Sequence, residues 1–360
     1  MSAELASGPP PPDLITDLVA EPSNAIALGL GILTASLILL CCCRRKSTLR
    51  CRSCITFDSY SDDVEGALLP PTMSRSNDVE PPATPTRLGG PHVIGSATQW
   101  SLQGRVAIVT GGSKGLGRAI VEELLAHGCE VLTCARDIKP LEPLTGIGAE
   151  PRCVAVSADV STDDGRRTLL ASFAKHFGRD GALDLLVNNV GTNLRKPSEE
   201  FTSAEYEKLH ATNQASAFHL SCMCLEQLKR AGKGGLKGGC VVNVSSVSGS
   251  TVDNTGCPYH MQKAALEHMT RYLACEWGVH GIRVNAVAPW FIRTPLTEPL
   301  LSQQVFHDAV KSATPMRRVG EPYEVACVVA FLAMPAAGYV SGEIIGIDGA
   351  MMKEGFRGPK

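Results

Sequence analysis

Apolar positions fall into two different patterns on either side of residue 99. From Gln99 onward, short continuous apolar runs alternate with longer stretches whose apolar residues recur at helical spacing. The runs Arg105–Thr110, Glu130–Cys134, Cys153–Val156, Leu183–Val187, Cys240–Val244, Arg283–Val287 and Glu343–Ile347 read as strands. Ile120, Val121, Leu124 and Leu125 mark a first helix, stopped by Gly128. Further helices are expected over Ser203–Arg230, Tyr259–Val279 and Glu321–Met334. Strands that are apolar throughout, rather than at alternate positions, are covered on both faces, and their alternation with helices implies a parallel sheet. The pattern predicts an α/β fold, a doubly wound parallel sheet of Rossmann type forming a single domain over 99–358.

Ahead of that domain the pattern breaks down. Residues 1–24 and 44–98 are rich in Pro, Ser, Thr and acidic residues, as in Pro9–Pro12, and bury too little to fold, so a disordered N-terminal extension is expected. Between them Ala25 to Cys43 carries no charge, and at ~1.5 Å per residue it reaches about 28 Å, one hydrocarbon core. Arg44, Arg45, Lys46, Arg50 and Arg52 follow it, while only the acids Glu4, Asp13, Asp17 and Glu21 precede it. The stretch reads as a single transmembrane helix with the remainder of the chain on the cytosolic face. An organelle-targeting presequence is the alternative. Cys41, Cys42 and Cys43 at its edge are candidates for palmitoylation.

Composition narrows the function. A formal net charge of −2 over 360 residues gives no field to attract nucleic acid. Of the 14 cysteines, five (Cys41, Cys42, Cys43, Cys51 and Cys54) cluster beside the apolar stretch, and most others sit inside apolar runs such as Val131–Cys134. Buried free cysteine packs as a small hydrophobe, so a disulfide framework is not implied. Cys51 and Cys54 have metal-ligand spacing, but no second pair or nearby histidine completes a site, and no metal is expected.

The chemistry gathers at the carboxyl ends of the predicted strands. Gly111, Ser113, Lys114, Gly115, Leu116 and Gly117 lie between the first strand and first helix, where glycines permit a tight turn and close backbone approach to a pyrophosphate. The helix N-terminus adds unpaired N–H groups and a favourable dipole. The second strand runs into Arg136, and with Lys114 it places two cations where a 2′-phosphate would lie, pointing to NADP(H). The adjacent Asp137 would favour NAD if it held the ribose. Tyr259 and Lys263 stand at i and i+4 on one helix face, and an ammonium beside a phenol lowers its pKa towards neutrality. Ser246, thirteen residues before Tyr259 at the end of the Val241–Val244 run, can donate to a substrate oxygen as charge develops.

Together these motifs, spaced Thr-Gly-x-x-x-Gly-x-Gly, Ser246 and Tyr-x-x-x-Lys, resemble the short-chain dehydrogenase/reductase family from Leu102 to about Phe356. The resemblance implies that Asp159 and Val160 contact adenine and that Asn189, Val190 and Gly191 flank the cofactor, with Val190 where the family has Ala. It also implies Asn213 as a fourth catalytic residue, positioning a water that relays protons through Lys263. Pro289 and Ile292 would belong to a loop over the nicotinamide, with Thr294 at its carboxamide. Leu296 to Thr314 would form a mobile lid that selects substrate. Within the family, Trp100–Arg105, Asn188–Pro197, Ala274–Trp277, Ala288–Pro295 and Thr314–Pro322 are similar to the tropinone reductase-like branch. That branch implies reduction of a small or medium cyclic or apolar ketone, with a homodimer or homotetramer formed through the helices Ser203–Arg230 and Tyr259–Val279.

Two departures stand out. His260, Met261 and Gln262 replace the small residues usual between the tyrosine and lysine, and Asp253, Asn254 and Thr255 occupy a wall that is often apolar. If the latter point inward the pocket is more polar, while His260 reads as a packing or surface residue. The alternatives are a reductase of 3-oxoacyl thioesters on acyl-carrier protein, for which Arg317 and Arg318 are the nearby basic cluster, and a membrane-tethered NADPH-binding scaffold without turnover. An enoyl reductase would space tyrosine and lysine further apart.

Overall fold

The structure is a computed structural model that describes residues 97–145, 152–178, 181–232, 238–254 and 256–355. The apolar stretch 25–43, residues 1–24 and residues 44–96 lie outside the described residues, while Ala97 and Thr98 belong to a short 3-10 turn that ends at Trp100. Among the described residues, no helix is long and apolar enough to cross a membrane.

Seven strands form one parallel sheet in the order β3-β2-β1-β4-β5-β6-β7: β1 Val106–Thr110, β2 Glu130–Ala135, β3 Cys153–Ser157, β4 Leu185–Asn188, β5 Cys240–Val244, β6 Arg283–Pro289 and β7 Ile344–Ile347. Each expected run becomes a strand, with ends moved by one or two residues. Leu183 and Asp184 lead into β4: the Leu183 amide donates to the Gln227 carbonyl, and the Asp184 carboxylate accepts the Val106 amide at 2.9 Å. Every residue of β1 is buried, Ala107 and Val109 towards one face and Val106 and Ile108 towards the other.

One face is covered by α1 Gly115–Ala126 and α9 Pro322–Ala333, through Ile120, Val121, Leu124, Val325 and Val329. The other is covered by α2 Asp163–Phe177 and α6 Cys257–Trp277, through Leu169, Phe173, Leu273 and Trp277. Local chemistry sets their starts. Thr162 caps α2 by accepting the Gly165 amide, and Glu321 with Glu324 forms a reciprocal cap on α9, with proline in its first turn.

The expected helix Ser203–Arg230 is broken in two places. It comprises α3 Ser203–His210, a π-turn Ala211–Ala215, α4 Ser216–Met223 and α5 Leu225–Arg230. Thr212, Ser216 and Ser221 each turn a hydroxyl onto the carbonyl four residues back, a competition that distorts helical geometry. Such π-turns frequently mark functional positions, and this one carries Asn213. The lid region forms two helices, α7 Glu298–Leu301 and α8 Gln304–Ala313, whose Leu301 and Val310 pack with Val319, Trp290, Phe291 and Phe306.

Candidate active site

A groove of 560 Å³ runs along the carboxyl ends of the strands. Its floor is the loop from β1 to α1. Gly111 has φ +73°, and a side chain there would meet Asn189 and Val190 at 3.0 Å. At Gly117 a Cβ would stand 2.2 Å from the Gly111 carbonyl oxygen, so only glycine lets the turn close. Asn189 fastens this loop to β4 by donating its amide to the Thr110 carbonyl at 2.8 Å. In return the Thr110 hydroxyl accepts the backbone amides of Asn189 and Val190. No side chain caps α1, which begins after extended Lys114, so its first-turn amides are left for a ligand.

Gly111, Ser113, Lys114, Gly115, Leu116 and Gly117 all line the groove. So do Arg136, Asp159, Val160, Asn189, Val190 and Gly191, and at its far end Tyr259, Lys263 and Thr294. Arg136 and Lys114 are exposed at the rim. Asp137 does not line the groove; its carboxylate accepts the Lys139 amide at 3.1 Å within its own loop. A capless helix start, glycines that allow close approach and two rim cations fit a phosphorylated dinucleotide.

The side chains of two expected cofactor residues do not line the groove. Pro289 ends β6 in the core, and Ile292 is 3% exposed, its side chain packed in the apolar cluster beneath α9. Beyond them, Thr294, Pro295 and Leu296 line the groove.

Tyr259 lies in the first turn of α6, which starts at Gly256 with φ 106° and has proline next to the tyrosine. Ser246, two residues after β5, lies on the same side and acts on the phenol electrostatically, while its hydroxyl pairs with Ser248. Lys263, one turn on, is 3% exposed; its Nζ stands 5.6 Å from the Tyr259 ring centre and donates to the Val244 carbonyl at 2.8 Å. Asn213 reaches the same end of the groove. A Cβ built on Gly191 would sit 3.5 Å from both the Asn213 Oδ1 and the Lys263 Nζ. The Asn213 side chain is fully used: its Oδ1 accepts the Thr192 amide at 2.7 Å, and its Nδ2 donates to the Thr192 carbonyl and to Gln262 Oε1.

The electrostatics correct one expectation. Tyr259 is not made more acidic here: burial of the phenol raises its pKa above the ordinary value, and nearby Asp253 adds to the rise. The Ser246 hydroxyl and the Arg195 charge oppose it. Lys263 carries the larger penalty, since burial pushes its ammonium from 10.5 down to about 8, against an upward pull from Glu267. The lysine is itself desolvated and bound to a carbonyl, so its charge does not dominate the phenol.

Several participants were not foreseen. Glu267 is 2% exposed and accepts the Ser245 and Ser250 hydroxyls. Gln262 is buried against Asn213, with its Nε2 unpartnered. Their mid-helix positions read as ordinary helix positions in the sequence, although Gln262 was already unusual in size. Asp253 does turn inward, accepting the Ser248 hydroxyl at 3.1 Å, so this wall is polar; Thr255 lies outside the described residues.

Comparison with known proteins agrees with this arrangement. A family described as Enoyl-(Acyl carrier protein) reductase matches residues 111–351. A tropinone reductase homolog of Arabidopsis thaliana, At5g06060, is 45% identical over 260 residues, covering 72% of this chain and 96% of its own. A chloroplastic tropinone reductase homolog of the same plant, At2g29260, is 45% identical over 265 residues, covering 73% of this chain and 80% of its own. Among solved structures, the Pseudomonas aeruginosa RhlG/NADP active-site complex superposes with a TM-score of 0.65 at 33% identity, covering 71% of this chain and 98% of that one.

Proposed function

The chain belongs to the short-chain dehydrogenase/reductase family, on its tropinone reductase-like branch, and from that premise we propose that it is an NADPH-dependent carbonyl reductase with Tyr259 as the acid. Membership makes it an oxidoreductase acting on alcohol or ketone groups with a nicotinamide cofactor. The preference for NADPH rests on Arg136 and Lys114 at the groove rim, on Asp137 turned away from it, and on the NADP complex of one structural relative.

The observation that carries the reading is Tyr259 and buried Lys263 one helical turn apart at the end of the groove, with the Lys263 Nζ 5.6 Å from the phenol ring centre. The bound cofactor supplies hydride. Lys263 would hold the ribose hydroxyls that reach the groove end. Ser246 donates to the substrate oxygen, and Tyr259 gives up its phenolic proton as that oxygen gains charge. Asn213 keeps Thr192 and the π-turn in place beside Lys263. Leu296 at the groove and the apolar lid cluster favour a ketone with an apolar body, while the Asp253–Ser248 wall limits how apolar its carbonyl end can be. Tyr259→Phe should abolish NADPH oxidation against a ketone panel while NADPH binding by fluorescence is kept. Turnover near the wild-type rate in that variant defeats the assignment.

A second reading, reduction of 3-oxoacyl thioesters, draws on a basic depression beside α8. There Arg293 and Arg318 are paired with carboxylates, but Lys311 and Arg317 have no ion pair among the described residues. Including a 3-oxoacyl thioester in the panel separates the two, as does loss of its turnover in Lys311→Glu. A scaffold without turnover would leave every panel member unreduced.

Three further proposals extend to the whole chain. Residues 25–43 anchor it in a membrane, which carbonate extraction tests; targeting to an organelle, as the chloroplastic relative is named for, is the alternative. Residues 99–358 form the reductase domain. Exposed Phe218 on α4 and Met261 and Tyr272 on α6 support pairing of subunits through these helices, which sedimentation tests.

A further inference from the structure

Gln262 stands directly before Lys263 in α6 and is 3% exposed, yet it does not line the groove. Its side chain runs to the π-turn instead, where Oε1 accepts from Asn213 Nδ2 at 2.8 Å. The backbone settles the orientation of both amides. The Thr192 N–H needs an oxygen opposite it, so Asn213 presents Oδ1 there at 2.7 Å and turns Nδ2 to the Thr192 carbonyl at 2.9 Å. The Gln262 atom facing Nδ2 must then be its oxygen. Asn213 Nδ2 thereby spends both protons, one on Thr192 and one on Gln262, and keeps no donor for water. Gln262 Nε2 is buried without an acceptor among the described residues, so the carbonyl oxygen is the committed end of this side chain.

Three elements are joined through these bonds, and each supplies part of the groove: Gly191 and Thr192 from the loop after β4, Ala211 and Thr212 from the π-turn, Tyr259 and Lys263 from α6. They meet at the reacting end, where a Cβ placed on Gly191 would stand 3.5 Å from Asn213 Oδ1 and from Lys263 Nζ alike. The π-turn is the weak member of the three, since the Ser216 hydroxyl bonds the Thr212 carbonyl within it at 2.7 Å and draws it from regular helical pairing. A short side chain at position 262 would leave one Nδ2 proton of Asn213 buried and unpaired, and such an orphan costs more than the bond itself contributes. We propose that Gln262 is a positioning residue: through Asn213 it ties the π-turn and Thr192 to the helix that carries Tyr259 and Lys263, and so fixes the groove wall beside the lysine. Its effect on turnover rests on the reductase reading, whereas the tie itself is measurable in the resting protein.

The test compares Gln262→Met, which keeps the length and removes the acceptor, with Gln262→Glu, which keeps an accepting oxygen. Hydrogen–deuterium exchange of the full-length protein, read by mass spectrometry, reports on the π-turn without any turnover. In Gln262→Met the amides of Thr192 and of the π-turn should exchange about tenfold faster, because one hydrogen bond no longer opposes local opening. In Gln262→Glu they should stay near wild type. Gln262→Leu, which also lacks the acceptor, takes the place of the methionine variant if that one misfolds. In turnover, kcat per folded enzyme should fall about tenfold in Gln262→Met, since a displaced wall misplaces the reacting groups, while KM for NADPH changes by no more than about twofold. A purely structural role would lower the thermal midpoint of Gln262→Met but leave exchange at the π-turn and kcat of the folded fraction at wild-type values. That result overturns the proposal, as does an equal gain in exchange in Gln262→Glu. Should the wild type reduce no carbonyl, the reductase reading falls, and the exchange comparison still decides whether Gln262 holds the π-turn.

Discussion

Removing Arg136 isolates the basis of cofactor choice. Arg136 follows β2 at the groove rim, where its guanidinium can meet a 2′-phosphate with two charge-assisted hydrogen bonds. Hydrogen bonds to charged groups contribute about 1.5–3 kcal/mol each when shielded, but Arg136 is exposed, so the pair together should contribute near the lower figure. Arg136→Ala should therefore weaken NADPH binding about tenfold, using about 1.4 kcal/mol per decade. NADH lacks the phosphate and should bind as before. Lys114→Ala should cost less, because an exposed ammonium makes no planar pair. The double variant should lose less than the product of the two single losses, since both cations address one phosphate. Rising salt should shrink the preference, because rim charges are screened within about 10 Å at ~0.1 M. Fluorescence titration with both dinucleotides at two ionic strengths reads all of this. Equal weakening of NADPH and NADH in Arg136→Ala, or none, would refute the argument.

Other substitutions probe the frame around the chemistry. Gly117→Ala drives a Cβ into the Gly111 carbonyl, so cofactor binding should be lost and the thermal midpoint should fall by several degrees in a calorimetric scan. Lys263→Met should inactivate the enzyme yet stabilise the cofactor-free protein near neutral pH. A pKa of about 8 against 10.5 unfolded means that folding destabilises the ammonium by about 3 kcal/mol, of which the lost bond to Val244 takes back about 1 kcal/mol. Because the folded pKa is the lower one, the penalty is complete below about 8 and fades as pH rises to 10.5, so the advantage of Lys263→Met in urea melts should fade over that window. A constant difference from neutral pH to beyond 10.5 would contradict that account.

The sheet was legible because burial on both faces leaves a plain signal. Each of the seven apolar runs is a strand, and only ends such as Leu183 shifted, where the backbone amide turns to the Gln227 carbonyl rather than to a neighbouring strand. The glycine loop was legible for a steric reason, since Gly111 and Gly117 occupy positions that admit no side chain. What failed was local. Hydrophobic spacing says nothing of hydroxyls folding back on carbonyls, so the π-turn at Asn213 was hidden inside an apparently continuous helix. Ile292 was expected at the cofactor by position in a motif; its apolar side chain packs in the core, so only its backbone groups could serve that role. The direction of the Tyr259 shift was misjudged because i,i+4 spacing guarantees proximity, not the partner the ammonium prefers.

These failures share a cause that bears on how the site works. A groove that must hold a charged cofactor and move a proton cannot use the most stable local arrangement at every position, and local rules are expected to break where function takes precedence. Lys263 and Glu267 are both within a few per cent of complete burial, close enough to influence each other yet each bonded elsewhere, the lysine to a carbonyl and the glutamate to two serine hydroxyls. Uncompensated, such charges would unfold a marginal domain. They persist because the sheet beneath them is largely apolar, and because the Val244 carbonyl serves the lysine and two serine hydroxyls serve the glutamate. The free protein is thus held away from its own stability optimum at the point where the cofactor's ribose would supply Lys263 with partners other than Val244. A ligand that binds only the folded state stabilises that state. Cofactor affinity and the cost of burying this lysine are therefore two sides of one free-energy balance.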